Sequence, residues 1–282
     1  MESYDRIKLS RDAARPTSLD YIASIFTDFT ELHGDRALGD DRAVIGGIGW
    51  LSDLPVTVIA IEKGHSVEER VYRRFGCPVP EGYRKALRLM KEAEKFHRPV
   101  LCLIDTQGAY PGVEAEIRGI GHSIAENLYE CMTLKTPILS IVVGEGGSGG
   151  ALALGVADEV WMLSNAYYSV ITPEACANVL YKDHAAEKYE EVTEHLGLFA
   201  ENLQKYGMIE HVIKEPADFS VKNDITEFMQ ALKERILQKM TELNALSAED
   251  LLEMRYGRFR KYRVVETTEG GYKMADFTTL EQ

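Results

Sequence analysis

A glycine-rich stretch, GEGGSGGALALG, runs from Gly144 to Gly155 and surrounds a single serine, Ser148. It directly follows an apolar run, PILSIVV, of the kind that forms a buried strand. Glycine has no Cβ atom, so a ligand can approach the backbone closely there. Amide N–H groups at the start of a following helix are unpaired and attract negative charge. The stretch therefore predicts a loop that stabilises an oxyanion through backbone amides.

The same stretch also fits two other motifs. Residues 146–150 read as G-x-S-x-G, the nucleophile elbow of serine hydrolases, and Asp158 and several histidines lie downstream in the chain order of that triad. The glycines also read as G-x-G-x-x-G, but this match lies mid-chain rather than in the first β-α-β unit of a dinucleotide-binding domain. The context argues against NAD binding, and a serine hydrolase using Ser148 stays open as a remote alternative.

A second glycine loop follows another apolar strand. The run PVLCLID at 99–105 leads into Thr106-Gln107-Gly108-Ala109, and a helical pattern starts soon afterwards. Two loops of this kind in one domain indicate chemistry on a thioester or a similar carbonyl through a stabilised oxyanion. The alternative is that the glycines only allow tight packing of helices on the sheet.

Strand and helix patterns alternate along the rest of the chain. Apolar runs predict strands at 43–51, 56–64, 99–105, 137–143 and 159–163. Helical periodicity separates the later strands, at 81–96, 117–134 and 150–157. A helix is also expected from Thr17 through Leu32, opened by a capping box with Asp20, and two more helices are expected after residue 220. The pattern indicates an α/β fold with right-handed crossovers.

Composition excludes several classes of protein. The net charge of −13 argues against a nucleic-acid partner. No apolar run approaches the ~20 residues of a membrane span, and the N-terminus has no apolar signal core, so the expected location is the cytoplasm. The four cysteines lie far apart without a C-x-x-C motif, which predicts reduced core thiols and no metal site in this chain.

Six stretches give the chain its resemblance to the alpha-subunit family of bacterial acetyl-coenzyme A carboxylase carboxyltransferase, over most of residues 15–262. They are RPTSLDYI, ELHGDRALGDDRAVIGGIG, RRFGCPVPEGYRKALRLMKEAEKF, IDTQGAYPGVEAEIRG, VVGEGGSGGALALGVAD and YYSVITPEACANVLYKD. The resemblance implies a crotonase-like fold, a spiral of ββα units with flanking N- and C-terminal helices. It predicts a short extension at 1–16, a carboxyltransferase domain at 17–262 and a flexible tail at 263–282.

The resemblance also implies an activity. Such a subunit transfers a carboxyl group from carboxybiotin, held on a separate carrier protein, to acetyl-CoA and so forms malonyl-CoA for fatty-acid synthesis. The implied partners are a zinc-ribbon beta subunit in an α2β2 assembly, without which the chain is inactive, the biotin carboxyl carrier protein and biotin carboxylase. Two alternatives stay open: a subunit of another biotin-dependent acyl-CoA carboxyltransferase or decarboxylase, and a catalytically silent scaffold.

The family resemblance assigns roles within the two loops. Gly149 and Gly150 are expected to donate their backbone N–H groups to the oxyanion on the biotin side. Gly146, Gly147 and Ser148 are expected to shape the carboxybiotin loop. Two residues of the neighbouring loop are second-rank donors, namely Gly108 and Ala109.

Two features depart from the pattern or have no assigned role. Position 107 is Gln where the family pattern leads us to expect Pro, so other contacts must hold that loop. Residues 70–98 are rich in Arg and Lys, which fits either contact with CoA phosphates or an acidic partner, or a solvated helix face.

Overall fold

The computed structural model describes residues 2–262 and two short strands beyond them. Within this part of the chain the strands are β1 (Thr27–Glu31), β2 (Val44–Leu51), β3 (Leu54–Ile61), β4 (Val100–Thr106), β5 (Ile138–Gly147), β6 (Glu159–Leu163), β7 (Tyr167–Ser169), β8 (His211–Ile213), β9 (Val265–Thr268) and β10 (Gly271–Met274). The predicted tail at 263–282 otherwise lies outside the described residues, so its flexibility stays a prediction. Strands β9 and β10 pair with each other in antiparallel fashion.

Helices cover the sheet and extend from both ends of the chain. They are α1 (Ser3–Ser10), α2 (Ser18–Ile25), α3 (Val67–Tyr72), α4 (Pro80–Lys95), α5 (Val113–Ile117), α6 (Ile120–Cys131), α7 (Ser148–Gly155), α8 (Pro173–Tyr181), α9 (Tyr189–Leu196), α10 (Ala200–Lys205), α11 (Thr226–Asn244) and α12 (Ala248–Arg260). None of the helices in the described part of the chain has the length and apolar character of a membrane span.

The main sheet places the ends of its central strands at one edge. Its order is β1-β2-β3-β4-β5-β6-β8, with β7 also paired to β5. The first three strands are antiparallel neighbours, whereas β3, β4, β5, β6 and β8 run parallel. Every residue of β4 and β5 is buried, as expected for parallel strands covered on both faces. The α/β prediction is confirmed, and the predicted strands correspond to β2 through β6.

The N-terminal helix is shorter than predicted. The capping box forms, because the Thr17 amide donates to the Asp20 carboxylate at 2.7 Å. The helix α2 then ends at Ile25, and the residues predicted to continue it form the edge strand β1 beside β2. The prediction was wrong because a run as short as TDFTE is compatible with both periodicities, and its β-branched and aromatic residues favour a strand.

Two further predicted boundaries differ from the structure. The helix expected at 117–134 is split into α5 and α6 by Gly119, whose φ of 83° places it in the left-handed region. The strand expected at 137–143 continues to Gly147, because residues 145–147 pair with β7. The first four residues of the glycine-rich stretch, 144–147, are therefore strand. This explains the glycine at position 146, because a Cβ atom there would crowd Tyr167 and Tyr168.

A fully buried ion pair fixes the C-terminal helix α12 to the sheet. The Arg255 guanidinium donates to both carboxylate oxygens of Asp158 at 2.9 Å, and neither residue's side chain is exposed. It also donates to the carbonyl oxygens of Cys131, Leu134 and Thr136. The N–H donors of the guanidinium group therefore all have acceptors. A buried charge is tolerated when it is paired and hydrogen-bonded in this way.

Candidate functional site

The two glycine loops meet at the carboxyl ends of β4 and β5. Thr106 lies beside Gly146 in the parallel pair, and the loop that follows Thr106 packs directly on the start of α7. A Cβ atom on Gly147 would overlap the Gln107 carbonyl, and one on Gly150 would lie 2.5 Å from the Ala109 nitrogen. Only glycine permits this approach, so the residues predicted for the two loops are brought together.

The helix α7 begins at Ser148, two residues before the start predicted at residue 150. Its first turn leaves the N–H groups of Ser148, Gly149 and Gly150 without acceptors inside the helix. Ser148 has a φ of 51°, a conformation that is uncommon and strained for a residue other than glycine. Ser148 is exposed, Gly149 is half-buried and Gly150 is buried. The turn therefore presents amides without acceptors inside the helix, and those of Ser148 and Gly149 lie at an accessible surface.

An apolar cavity of about 450 Å³ opens beside this turn. Ser148 and Gly149 form part of its wall, together with Leu152, Tyr168 and Val170. The volume lies in the range of small-molecule sites, which are mostly apolar with a few polar groups that fix orientation. The amides at the start of α7 are the polar groups placed to do so.

The two predicted donors in the neighbouring loop differ in the contacts of their backbone amides. The Gly108 amide donates to the Thr106 hydroxyl at 3.0 Å, and that hydroxyl donates to the Gly108 carbonyl at 2.9 Å. Gly108 is thus engaged within its own loop, and its φ of 146° again requires glycine. Ala109 makes no such contact and lies against Gly150. Of the two second-rank donors, Ala109 is the better placed.

A contact of its side chain holds Gln107 in place. Its amide nitrogen donates to the Cys77 thiol at 3.3 Å, and the residue lines a second cavity of about 440 Å³. This contact replaces the backbone restraint that Pro would supply at this position. Cys77, Cys102 and Cys131 are buried free thiols, as predicted for core residues, whereas Cys176 is only partly buried.

A network of buried charges lies beneath both loops, and the sequence analysis missed it. The Lys63 ammonium contacts Asp105 at 2.7 Å and Glu145 at 2.5 Å. The Glu145 carboxylate also accepts from Arg11 at 2.8 Å and from the Tyr167 hydroxyl at 2.7 Å. The sequence does carry one signal for this network: a charged residue lies at or just beyond the end of each of three apolar strands.

The charge state of this network follows from its contacts. Burial alone would raise the pKa of Glu145, but Lys63 and Arg11 lower it to about 2. Burial lowers the pKa of Lys63, and the two carboxylates more than offset this, so its pKa lies above the usual value. Lys63 and Glu145 are therefore both ionised at neutral pH.

The groups that a serine hydrolase would need are occupied elsewhere. Asp158 is bound by Arg255, and the downstream histidines contact other residues: His184 lies near Glu187, His195 contacts the Glu191 carbonyl and His211 lies near Glu159. Across residues 2–262 no hydrogen bond joins Ser148 to a histidine. The strand-to-helix turn resembles an elbow, but the triad is not assembled.

The basic residues of 70–98 are mostly paired within the chain. Arg84 contacts Asp35 at 2.7 Å, and Lys85 is buried and contacts both Asp40 and the Asp41 carbonyl. Arg74 contacts Asp41 at 2.9 Å. These contacts tie α4 to the loop at 35–41, so the segment is neither a bare phosphate site nor a fully solvated face.

Comparison with known sequences gives a consistent result. A family model described as acetyl co-enzyme A carboxylase carboxyltransferase-like matches residues 1–263. The chain is 53% identical over 265 residues to the acetyl-coenzyme A carboxylase carboxyl transferase subunit alpha of Ruminiclostridium cellulolyticum, covering 94% of this chain and 99% of that protein. It is 51% identical over 258 residues to the protein of the same name from Clostridium acetobutylicum, covering 92% and 93%.

Solved structures share the fold. Transcarboxylase 12S, with methylmalonyl-coenzyme A and methylmalonic acid bound, superposes with a TM-score of 0.64 at 23% identity. The beta subunit of P. aeruginosa geranyl-CoA carboxylase gives 0.60 at 17% identity. The alignments cover 82% and 83% of this chain but only 43% and 42% of those chains, so this chain spans less than half their length. The expected crotonase-like fold is confirmed.

Proposed function

Because the chain belongs to the family of acetyl-coenzyme A carboxylase carboxyltransferase alpha subunits, we propose that it forms the carboxybiotin side of the active site that makes malonyl-CoA. The observation that carries this proposal is the meeting of two glycine loops at one sheet edge, where the first turn of α7 borders an accessible cavity with amides that have no acceptor inside the helix. Carboxyl transfer passes through oxyanions, and preorganised N–H donors stabilise these better than water does.

The residues of the turn would hold carboxybiotin through backbone amides beside an apolar wall. Carboxybiotin, bound here on its carrier protein, supplies the carboxyl group. Gly149 and Gly150 would donate their N–H groups to the biotin carbonyl oxygen that gains charge when the carboxyl group leaves, and Ala109 would be a further donor from the neighbouring loop. Gly146, Gly147 and Ser148 hold the loop, since any side chain at Gly147 would push the two loops apart. Leu152 and Tyr168 exclude water from one side of the site.

Exposed apolar side chains near the site support a partner subunit. Val170, in the cavity wall, is 79% exposed, and Val179 and Leu180 on α8 are exposed as well. Ile117 on α5 is 81% exposed. Large apolar side chains that are exposed to this degree are candidates for a protein contact. We assign it to a zinc-ribbon beta subunit in an α2β2 assembly, which works in the cytoplasm with the biotin carboxyl carrier protein and biotin carboxylase.

The partner requirement gives the direct test. The purified chain alone is expected to form no malonyl-CoA from acetyl-CoA and carboxybiotin, and adding the beta subunit encoded in the same organism is expected to restore transfer. The reason is that the acetyl-CoA wall of the site belongs to the partner. The measurement is malonyl-CoA formation with each chain alone and with both together. Robust turnover by the isolated chain would contradict the proposal, and preference of the complex for a longer acyl-CoA would favour the related acyl-CoA carboxyltransferases.

Replacing the Ser148 hydroxyl gives a second test. It distinguishes catalysis by backbone amides from catalysis by a serine nucleophile. Ser148→Ala is expected to keep carboxyl transfer within about tenfold, because the hydroxyl contributes at most one hydrogen bond of about 1 kcal/mol. Loss of a triad nucleophile would instead cost on the order of 10⁶-fold in kcat. A fluorophosphonate probe is expected to leave the wild type unlabelled. Labelling at Ser148, with loss of activity in the alanine variant, would establish the hydrolase alternative.

A further inference from the structure

We propose that Lys63 is a positioning residue of carboxyl transfer, which holds the two glycine loops at their working separation. Lys63 lies just beyond the end of β3, Asp105 lies near the end of β4, and Glu145 lies near the end of β5. These three strands are adjacent and parallel, so one ammonium bridges the two strand ends from which both loops start. The proposal rests on the function proposed above.

Each of the two carboxylates lies at the start of one of the two glycine loops. Asp105 precedes the loop of Gly108 and Ala109, and Glu145 precedes Gly146 and Gly147. The two strand ends are also joined directly, since the Glu145 backbone amide donates to the Asp105 side-chain oxygen Oδ1 at 2.7 Å. The fit is tight, because a Cβ atom on Gly144 would overlap the Asp105 carboxylate. A displacement of either carboxylate therefore moves the loop attached to it.

Charge explains why Lys63 is needed. Lys63, Asp105 and Glu145 are 8%, 8% and 5% exposed, so water screens their charges poorly. Without the ammonium, two buried carboxylates repel each other across the junction of the loops. Removing one member of a buried charge pair leaves an uncompensated charge, which is far more disruptive than removing the whole pair.

Other titratable and charged groups face this cluster. The acidic and basic ones that contact it, interact with its charges or line its surrounding cavities are Arg11, Asp12, Arg15, Glu62, Arg70 and Glu174. The neutral ones are Tyr21, Cys77 and Tyr167, because burial raises the pKa of each. Arg11 still pairs with Glu145 when Lys63 is absent, so Asp105 is the carboxylate that loses its cation.

The test compares Lys63→Met with Lys63→Met/Asp105→Asn in the assembled complex across pH. The single variant is expected to lose about 10²-fold in kcat near pH 8.5, the scale for a displacement of about 1 Å at a reacting group. Its loss is expected to shrink as the pH falls, because protonation of a buried carboxylate relieves the same repulsion that the ammonium relieves. The double variant removes one positive and one negative charge, so it is expected to recover at least about tenfold at pH 8.5 and to lose the pH dependence.

Two controls keep this result interpretable. Lys91→Met removes a surface lysine that pairs with Glu130 and is expected to leave the rate unchanged. Hydrogen exchange of residues 144–155 reports on the loop without reference to activity. It is expected to be faster at pH 8.5 in Lys63→Met and to return toward the wild-type rate in the double variant. An inactive wild-type complex would count against the proposed function. The hydrogen-exchange measurement would still test whether Lys63 positions the loops.

Several results would contradict the positioning role of Lys63. A loss that is the same at every pH, a double variant no better than Lys63→Met, or exchange unchanged by Lys63→Met would each overturn the positioning role. If Lys63→Met does not fold, the double variant decides the question: near wild-type exchange supports charge compensation, and fast exchange overturns it.

Discussion

Gly150→Ala is expected to lower the kcat of the assembled enzyme by about 10²-fold or more, the scale for displacing or losing an oxyanion donor. The alanine Cβ would lie 2.5 Å from the Ala109 nitrogen and 2.8 Å from the Gly108 carbonyl carbon. These are backbone atoms, so the neighbouring loop must move away. The change thus disturbs both groups of donors at once, although no N–H group is removed.

The matched control for this effect is Gly149→Ala, one residue earlier. Its Cβ would meet only the flexible Ile124 side chain, at an ordinary distance of 3.6 Å. We therefore expect turnover within about tenfold of the wild type, since no backbone has to shift. Steady-state kinetics of both variants, with gel filtration to check assembly, makes the comparison. Equal turnover of the two variants would show that contact between the loops is not needed.

Arg255→Ala is expected to lower the free energy of unfolding by about 3–5 kcal/mol, because it leaves the buried carboxylate of Asp158 without a counter-charge. The substitution also removes the donors to three backbone carbonyls. Burial already raises the pKa of Asp158, although Arg255 acts in the opposite direction, so losing the guanidinium makes its ionised form still less favourable. The measurement is the urea unfolding midpoint, followed by circular dichroism.

A second arginine on the same helix provides the control. Arg260 lies at the exposed end of α12, and its substitution by alanine is expected to change the free energy of unfolding by less than about 0.5 kcal/mol. A small effect of Arg255→Ala, similar to that of Arg260→Ala, would show that α12 is anchored by apolar packing alone.

Local signals were sufficient for much of the fold and for the position of the site. The wholly apolar runs identified β3 to β6, and the glycines after two of them identified both loops. These features can be predicted because they depend on neighbours in sequence: strand periodicity, capping at Thr17 and the missing Cβ atoms. The short run at 27–31 was wrongly assigned to a helix, because five residues fit a helical and an alternating pattern equally well.

Long-range charge pairing could not be predicted. Lys63 and Glu145 are 82 residues apart, and Arg255 and Asp158 are 97 residues apart, so nothing local indicates either contact. A charged residue at the end of an apolar strand is usually solvated, and burial appears only when neighbouring strands place several such ends together. The role of Gly108 as a second-rank donor could not be tested from the sequence either. Its amide donates to the Thr106 hydroxyl, and this contact is seen only in the structure.

The most direct test of the central claim removes a backbone N–H group without adding a side chain. Replacing the amide at Gly149 or Gly150 by an ester, through the matching hydroxy acid, deletes the donor and leaves the glycine geometry in place. The control is Gly121, which holds the same second position in α6 as Gly149 holds in α7 and has no atom near its Cβ position. We expect carboxyl transfer to fall by about 10²-fold or more with an ester at Gly149 or Gly150 and to stay unchanged with an ester at Gly121. Wild-type rates with both α7 esters would contradict the account, because the amides at the start of α7 would then not carry the chemistry.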